Sequence, residues 1–224
     1  MKLESKLNAI DARLLVLMCL SFAPHAESNA TQVRADIWSD NWFAMYLGNT
    51  LIKQDSVSIN TERSFNAESF TFEITLPAEI GFVIKDFKQN DTGLEYIGSR
   101  KQQMGDGGFI AQFKQASNGS LLLVSDSNWR CLPIHVAPLN KHCEKSRNPD
   151  QDCKSSIIPE PYDWKAQGFD DNQWPSAVIF AKSKVRPKGG YDRIKWDRSA
   201  QFIWTSDIEA DNTILCRVTL SSGK

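Results

Sequence analysis

Short runs of alternating apolar and polar residues, parted by Gly, Asn, Asp and Ser, recur along most of the chain. In "SFTFEITL" (69–76), Phe70, Phe72 and Ile74 fall on one side of an extended chain and polar neighbours on the other, as a half-buried strand requires. "WFAMYL" (42–47) and "TLIKQDSV" (50–57) flank Gly48-Asn49, a pair suited to a hairpin. "IGFVIKDF" (80–87) is apolar enough for a central strand. "GFIAQFK" (108–114) and "SLLLVSD" (120–126) pair across Asn118-Gly119, and "QFIWTSD" (201–207) meets "TILCRVTL" (213–220) across an acidic turn. In that last run Ile214, Cys216, Val218 and Leu220 share one face. Helical periodicity is nearly absent. Roughly eight to ten strands without intervening helices predict an all-β domain, a β-sandwich, over residues 36–220, with 27–35 as a leading segment and 221–224 as a tail.

The amino terminus reads differently. Lys2, Lys6 and Arg13 precede the apolar run "LLVLMCLSFA" (14–23), and "PHAES" follows. These are the parts of a secretory signal peptide covering 1–26, with cleavage after Ala26 or, as second choice, after Ala30. Ten residues make about 15 Å of helix against a bilayer core of roughly 30 Å, too short to span it. No later apolar run is long enough for a transmembrane segment, so a secreted or periplasmic location, or the cell surface, is expected. The chain has 26 basic and 27 acidic side chains; removing 1–26 takes away three and two, leaving 23 and 25. Without a basic stripe, nucleic acid is not an expected partner.

Four of the five cysteines lie beyond the leader: Cys131, Cys143, Cys153 and Cys216. An even number in an exported chain reads as two disulfides, and three pairings exist on paper. The expected set is Cys143–Cys153, closing a loop between two turn clusters, with Cys131 reaching Cys216. His135 and His142 interleave with Cys131 and Cys143, which raises a metal-binding alternative. Their spacings are looser than zinc sites favour, so no metal is assigned there. Residues 133–163 form a long irregular stretch that needs such a staple.

The strings "SDSNW" (125–129), Trp164 with "FDDNQW" (169–174), and "FIW" (202–204) through Arg217 resemble the galactose-binding-like jelly rolls that serve as accessory domains of bacterial α-L-rhamnosidases and β-galactosidase relatives. "DNWFAMYLGNT" (40–50) and "GDGGFIAQF" (105–113) are similar to further strands of that fold. The resemblance implies a jelly roll, to which the cysteines add the two disulfides, with carbohydrate or a cell-surface glycan as ligand. It implies that Asp170 and Asp171 shape a loop by bonding backbone N–H groups, while Trp174 fills the space between the sheets. Relatives carry the module beside a catalytic barrel that residues 1–224 do not contain, so no enzymatic activity is expected. Many also hold calcium, for which "QNDTGLE" (89–95) is the nearest match here.

Seven tryptophans make ring stacking on sugar a candidate chemistry. Trp42, Trp129, Trp174 and Trp204 read as core. Trp38, Trp164 and Trp196 lie among polar residues and read as exposed. Trp164, and Trp196 with Tyr191, Asp192 and Arg193, form a first candidate ligand surface. Asp86, Asn90, Asp91, Glu95 and Arg100, joined by Tyr96, form a second, in the polar loop between two strands. No nucleophile motif or phosphate loop is present. The leading expectation is a non-catalytic carbohydrate-binding or surface-recognition module. The alternative is a structural, self-associating extracellular protein, and a metal-binding protein comes third.

Overall fold

The computed structural model describes residues 30–60 and 66–222. The expected leader lies outside them. The strands, in chain order, begin with β1 (Thr31–Asp40), β2 (Trp42–Leu47), β3 (Thr50–Gln54), β4 (Asn66–Ile74) and β5 (Ala78–Lys85). They continue with β6 (Leu94–Glu95), β7 (Gln103–Met104), β8 (Gly108–Gln115), β9 (Leu121–Val124) and β10 (Arg130–Val136). The last are β11 (Ser156–Ile157), β12 (Val178–Phe180), β13 (Phe202–Trp204) and β14 (Asp211–Leu220). Two single-turn helices, Pro149–Asp152 and Lys182–Val185, lie in connections.

One sheet has the order β12-β13-β8-β1-β4, with β9 also on β8; the other runs β11-β10-β14-β5-β2-β3. Every pairing between these strands is antiparallel. The chain changes sheets at Asn41, between β1 and β2. The sheets face one another over a core in which Phe82 from one meets Phe109 from the other at 5.5 Å between ring centroids, with Trp129 5.1 and 5.6 Å from the two. Each such ring contributes roughly 2–3 kcal/mol by leaving water. The all-β sandwich predicted from alternation is therefore present, and both predicted disulfides form: Cys131–Cys216 and Cys143–Cys153. They fit folding in an oxidising environment. Among the described residues no helix is long and apolar enough to cross a membrane.

Two expectations need correction, and the metal alternative at the cysteines loses its sulfur ligands. The sandwich begins at Thr31, not residue 36, because β1 is paired from Thr31 onward with β4. Its inward row of Val33, Ala35 and Ile37 is interleaved with Asp36 and Trp38, which are buried as well, so the run does not look amphipathic. Trp174 does not lie between the sheets. It packs with Trp164 and Phe169 on the outer face of the second sheet, over Ala44, Val83 and Leu215. The two histidines gain no thiolate partners for a metal, since Cys131 and Cys143 are both in disulfides.

Asp55, just after β3, provides a pH handle. Its Oδ1 accepts the Val57 N–H at 2.8 Å, while burial, with Glu68 nearby, pushes its carboxyl up to about 6. The folded chain thus holds this proton more tightly than the unfolded chain, whose value is near 3.8. Stability is fully present below the unfolded value and falls as pH rises through about 6. Asp55→Asn should remove that decline: about equal to wild type near pH 4 and roughly 1–2 kcal/mol more stable at pH 7 by urea unfolding, after discounting for the edge position.

Candidate functional site

The outer face of the second sheet is divided. Residues 159–175 cover one half through Trp164, Phe169 and Trp174. Beside this cover lies an open groove of about 380 Å³. Val83, Ile134 and Thr213, one from each of β5, β10 and β14, line it along with Ile157 and Ile158. Ile157 and Ile158 remain exposed although they are large and apolar. Lys85, Lys88, His135 and Glu160 supply polar groups. These side chains converge because residues two apart on a strand share a face, and β10, β14 and β5 are adjacent. Trp42, directly opposite Lys85 across the β2–β5 pairing, is half-buried with the Lys85 ammonium 5.2 Å from its ring.

His135 is the unusual member. It is 5% exposed, and neither ring nitrogen has a hydrogen-bond partner among the described residues. Asp91 Oδ1 stands 3.3 Å from Nε2 without forming a well-directed bond. Burial, followed by the charge of Lys88, holds the imidazole below its ordinary range and favours the neutral ring. A neutral imidazole can donate one hydrogen bond and accept another.

The first candidate surface is not a free aromatic platform. Trp164 is 2% exposed, bonded through Nε1 to Glu160 Oε2 at 2.7 Å. Trp38, also read as exposed, is fully buried, its Nε1 bonded to the Lys188 and Gly189 carbonyls. Trp196 stacks on Tyr191, 5.7 Å between centroids, and Nε1 donates to the Tyr191 carbonyl. Both rings pack against the main core, while Asp192 faces solvent and Arg193 borders a separate shallow hollow with Arg34 and Asp36. Polar neighbours in sequence misled here, because this segment folds over the outer face of the first sheet.

The second set separates too. Asn90 is occupied within its loop, with Oδ1 accepting the Thr92 N–H at 3.0 Å and Nδ2 donating to Asp150. Asp91 pairs with Lys88 at 2.8 Å, which lowers its pKa. Residues 89–95 therefore spend these oxygens on protein donors and gather no cation cage. Arg100 borders another hollow, with Arg147.

Asp86 and Glu95 instead belong to an acidic cluster at one end of the sandwich. Asp40 ends β1, Asp86 follows β5 and Asp106 precedes β8; each offers a carboxylate oxygen within 4.8 Å of the others. Burial pushes the Asp40 and Asp86 carboxyls well above their ordinary range, and the neighbouring acids, Glu95 included, push further. Asp40 and Asp106, 66 residues apart, carry no shared motif, so only the folded chain reveals the cluster.

Comparison with protein-family models, curated proteins and solved structures finds no match to this chain.

Proposed function

We propose that the chain is an exported, non-catalytic recognition module of galactose-binding-like jelly-roll type that takes a carbohydrate in the groove on the outer face of the second sheet. The observation that carries this reading is His135. It is a buried imidazole whose Nδ1 meets no hydrogen-bond partner among the described residues and whose Nε2 has only the poorly directed Asp91 Oδ1, 3.3 Å away, set beside exposed isoleucines in an open concavity. Buried polar groups need partners, and sugar hydroxyls both donate and accept. The C–H face of a pyranose suits Ile157, Ile158 and Val83, while Lys85, Lys88 and Glu160 suit its remaining hydroxyls.

A glycan array on the full chain, followed by calorimetry on the hits, tests this. His135→Ala and Ile158→Ser should each weaken binding at least tenfold, about 1.4 kcal/mol, with unfolding curves close to wild type. An array without hits, or variants that bind like wild type, sinks the reading. Trp164→Ala and Trp196→Ala are unsuitable probes, because both rings are packing elements.

Self-association remains a second reading on one observation. β4 is nine residues long and pairs, among the described strands, with β1 alone. A long free edge invites another strand. Light scattering that grows with concentration supports it; a monomer throughout rejects it.

A further inference from the structure

From Asp40, Asp86 and Asp106, whose carboxylates converge at the end of the sandwich, we infer a calcium site that clips the two sheets together. The cluster alone would prove little, since acids often gather without an ion. Its lack of internal compensation is what points to a ligand. Asp40 is 1% exposed and Asp86 3%. Asp40 Oδ2 and Asp86 Oδ1 are buried with no hydrogen-bond partner among the described residues. A buried carboxylate oxygen left bare is costly, and a cation answers several at once.

The nearby cations do not fill the cluster. Arg186 Nη2 and Lys188 Nζ stand 3.7 and 3.9 Å from Asp106 Oδ2, at the long-range limit of an ion pair. Their side chains are mostly exposed, so water screens them. Glu95 lies buried close by, with Oε2 accepting from Gln103, and adds a fourth negative charge.

The backbone makes room for this arrangement. A Cβ on Gly105 would stand 1.7 Å from Asp86 Oδ2, so only glycine lets that carboxylate lie where it does. All donors are hard oxygens, which suits calcium or magnesium over softer metals. Calcium accepts irregular sets of oxygens in flexible geometry, whereas magnesium demands a near-ideal octahedron and keeps several of its waters, so carboxylates gathered from three separate places in the chain suit calcium.

The position defines the role. Asp40 and Asp106 flank β1 and β8 of one sheet; Asp86 follows β5 of the other. A calcium ion here joins both layers where the chain crosses between them at Asn41, far in sequence from either disulfide. It does not depend on the sugar-binding reading.

The test uses the full chain after treatment with EGTA and desalting. Titration with calcium chloride should show one ion per chain by calorimetry, and calcium at about 100 times its Kd should raise Tm by roughly 5–10 °C. Asp86→Asn and Asp106→Asn should each weaken calcium binding at least tenfold and abolish most of the Tm rise. Asp170→Asn, an exposed loop acid outside the cluster, should leave both unchanged. If an Asp86 variant does not fold, terbium luminescence on wild type, displaced by calcium, still decides. The absence of heat, terbium signal and Tm shift in wild type overturns the proposal, as does calcium binding that survives in both cluster variants.

Discussion

Replacing Cys131 and Cys216 together with alanine should lower the unfolding free energy by about 4 kcal/mol. The two residues are directly opposite in the β10–β14 pairing, their Cα atoms 4.1 Å apart, and both face the main core. The bond closes a loop across a sequence separation of 85, so it removes much freedom from the unfolded chain. Cys143–Cys153 spans only 10, and its removal should cost about 3 kcal/mol or less. Urea unfolding of both double variants checks the order. Equal losses would show that native packing, rather than loop closure, dominates at these sites, because the two loops differ so much in length.

The sequence disclosed the sheets better than their outer coverings. β2, β5, β8 and β14 carry apolar residues in rows that the period-two rule recovers. β1 escaped because from Ala35 onward both of its faces are buried. Val33, Ala35 and Ile37 point to the core, while Trp38 on the other face is covered by 182–202, with Tyr191 and Phe202 at 6.2 and 5.9 Å. The two covers, 182–202 and 159–175, also inverted part of the tryptophan assignment. Trp38 and Trp164 are buried among polar sequence neighbours, whereas Trp42, inside an apolar run, is half-buried on an outward face. Local composition reports what a residue's neighbours prefer; exposure depends on which distant segment lands above it. The same limit hid both candidate sites. Asp86 and Glu95 were visible as acids in a loop, but Asp40 and Asp106, which give them meaning, come from other strands. His135 was visible only as a metal candidate, whereas its surroundings make it a groove residue.

Arg217→Met should cost about 3 kcal/mol, the second large loss expected in this molecule. Arg217 stands on the outer face of β14 and is 1% exposed. Its Nε donates to Asp171 Oδ2 at 3.0 Å, Nη2 donates to Glu79 Oε2 at 2.7 Å, and Nη1 donates to the Trp164 carbonyl. The Phe169 ring lies 5.2 Å from Cζ. One planar guanidinium on β14 therefore holds residues 159–175 at two points, Asp171 and Trp164, while its third bond reaches Glu79 of the neighbouring β5, a geometry that a lysine ammonium cannot reproduce. Methionine fills the volume but leaves two acids and a carbonyl without their donor. Arg217→Lys should recover about half the loss, keeping the charge without the fork. The two adjacent acids should then behave differently. Asp171→Asn should cost about 1 kcal/mol, since its oxygens are partly screened by water. Asp170→Asn should be nearly silent, because Asp170 Oδ1 only accepts the Asn172 N–H, which an asparagine oxygen can do equally well. Urea unfolding gives the free energies, and near-ultraviolet circular dichroism reports whether Trp164 and Trp174 lose their fixed packing. If Arg217→Met and Asp171→Asn add without coupling, the guanidinium is not the fastener of this cover, and packing of the three aromatic rings must hold it alone.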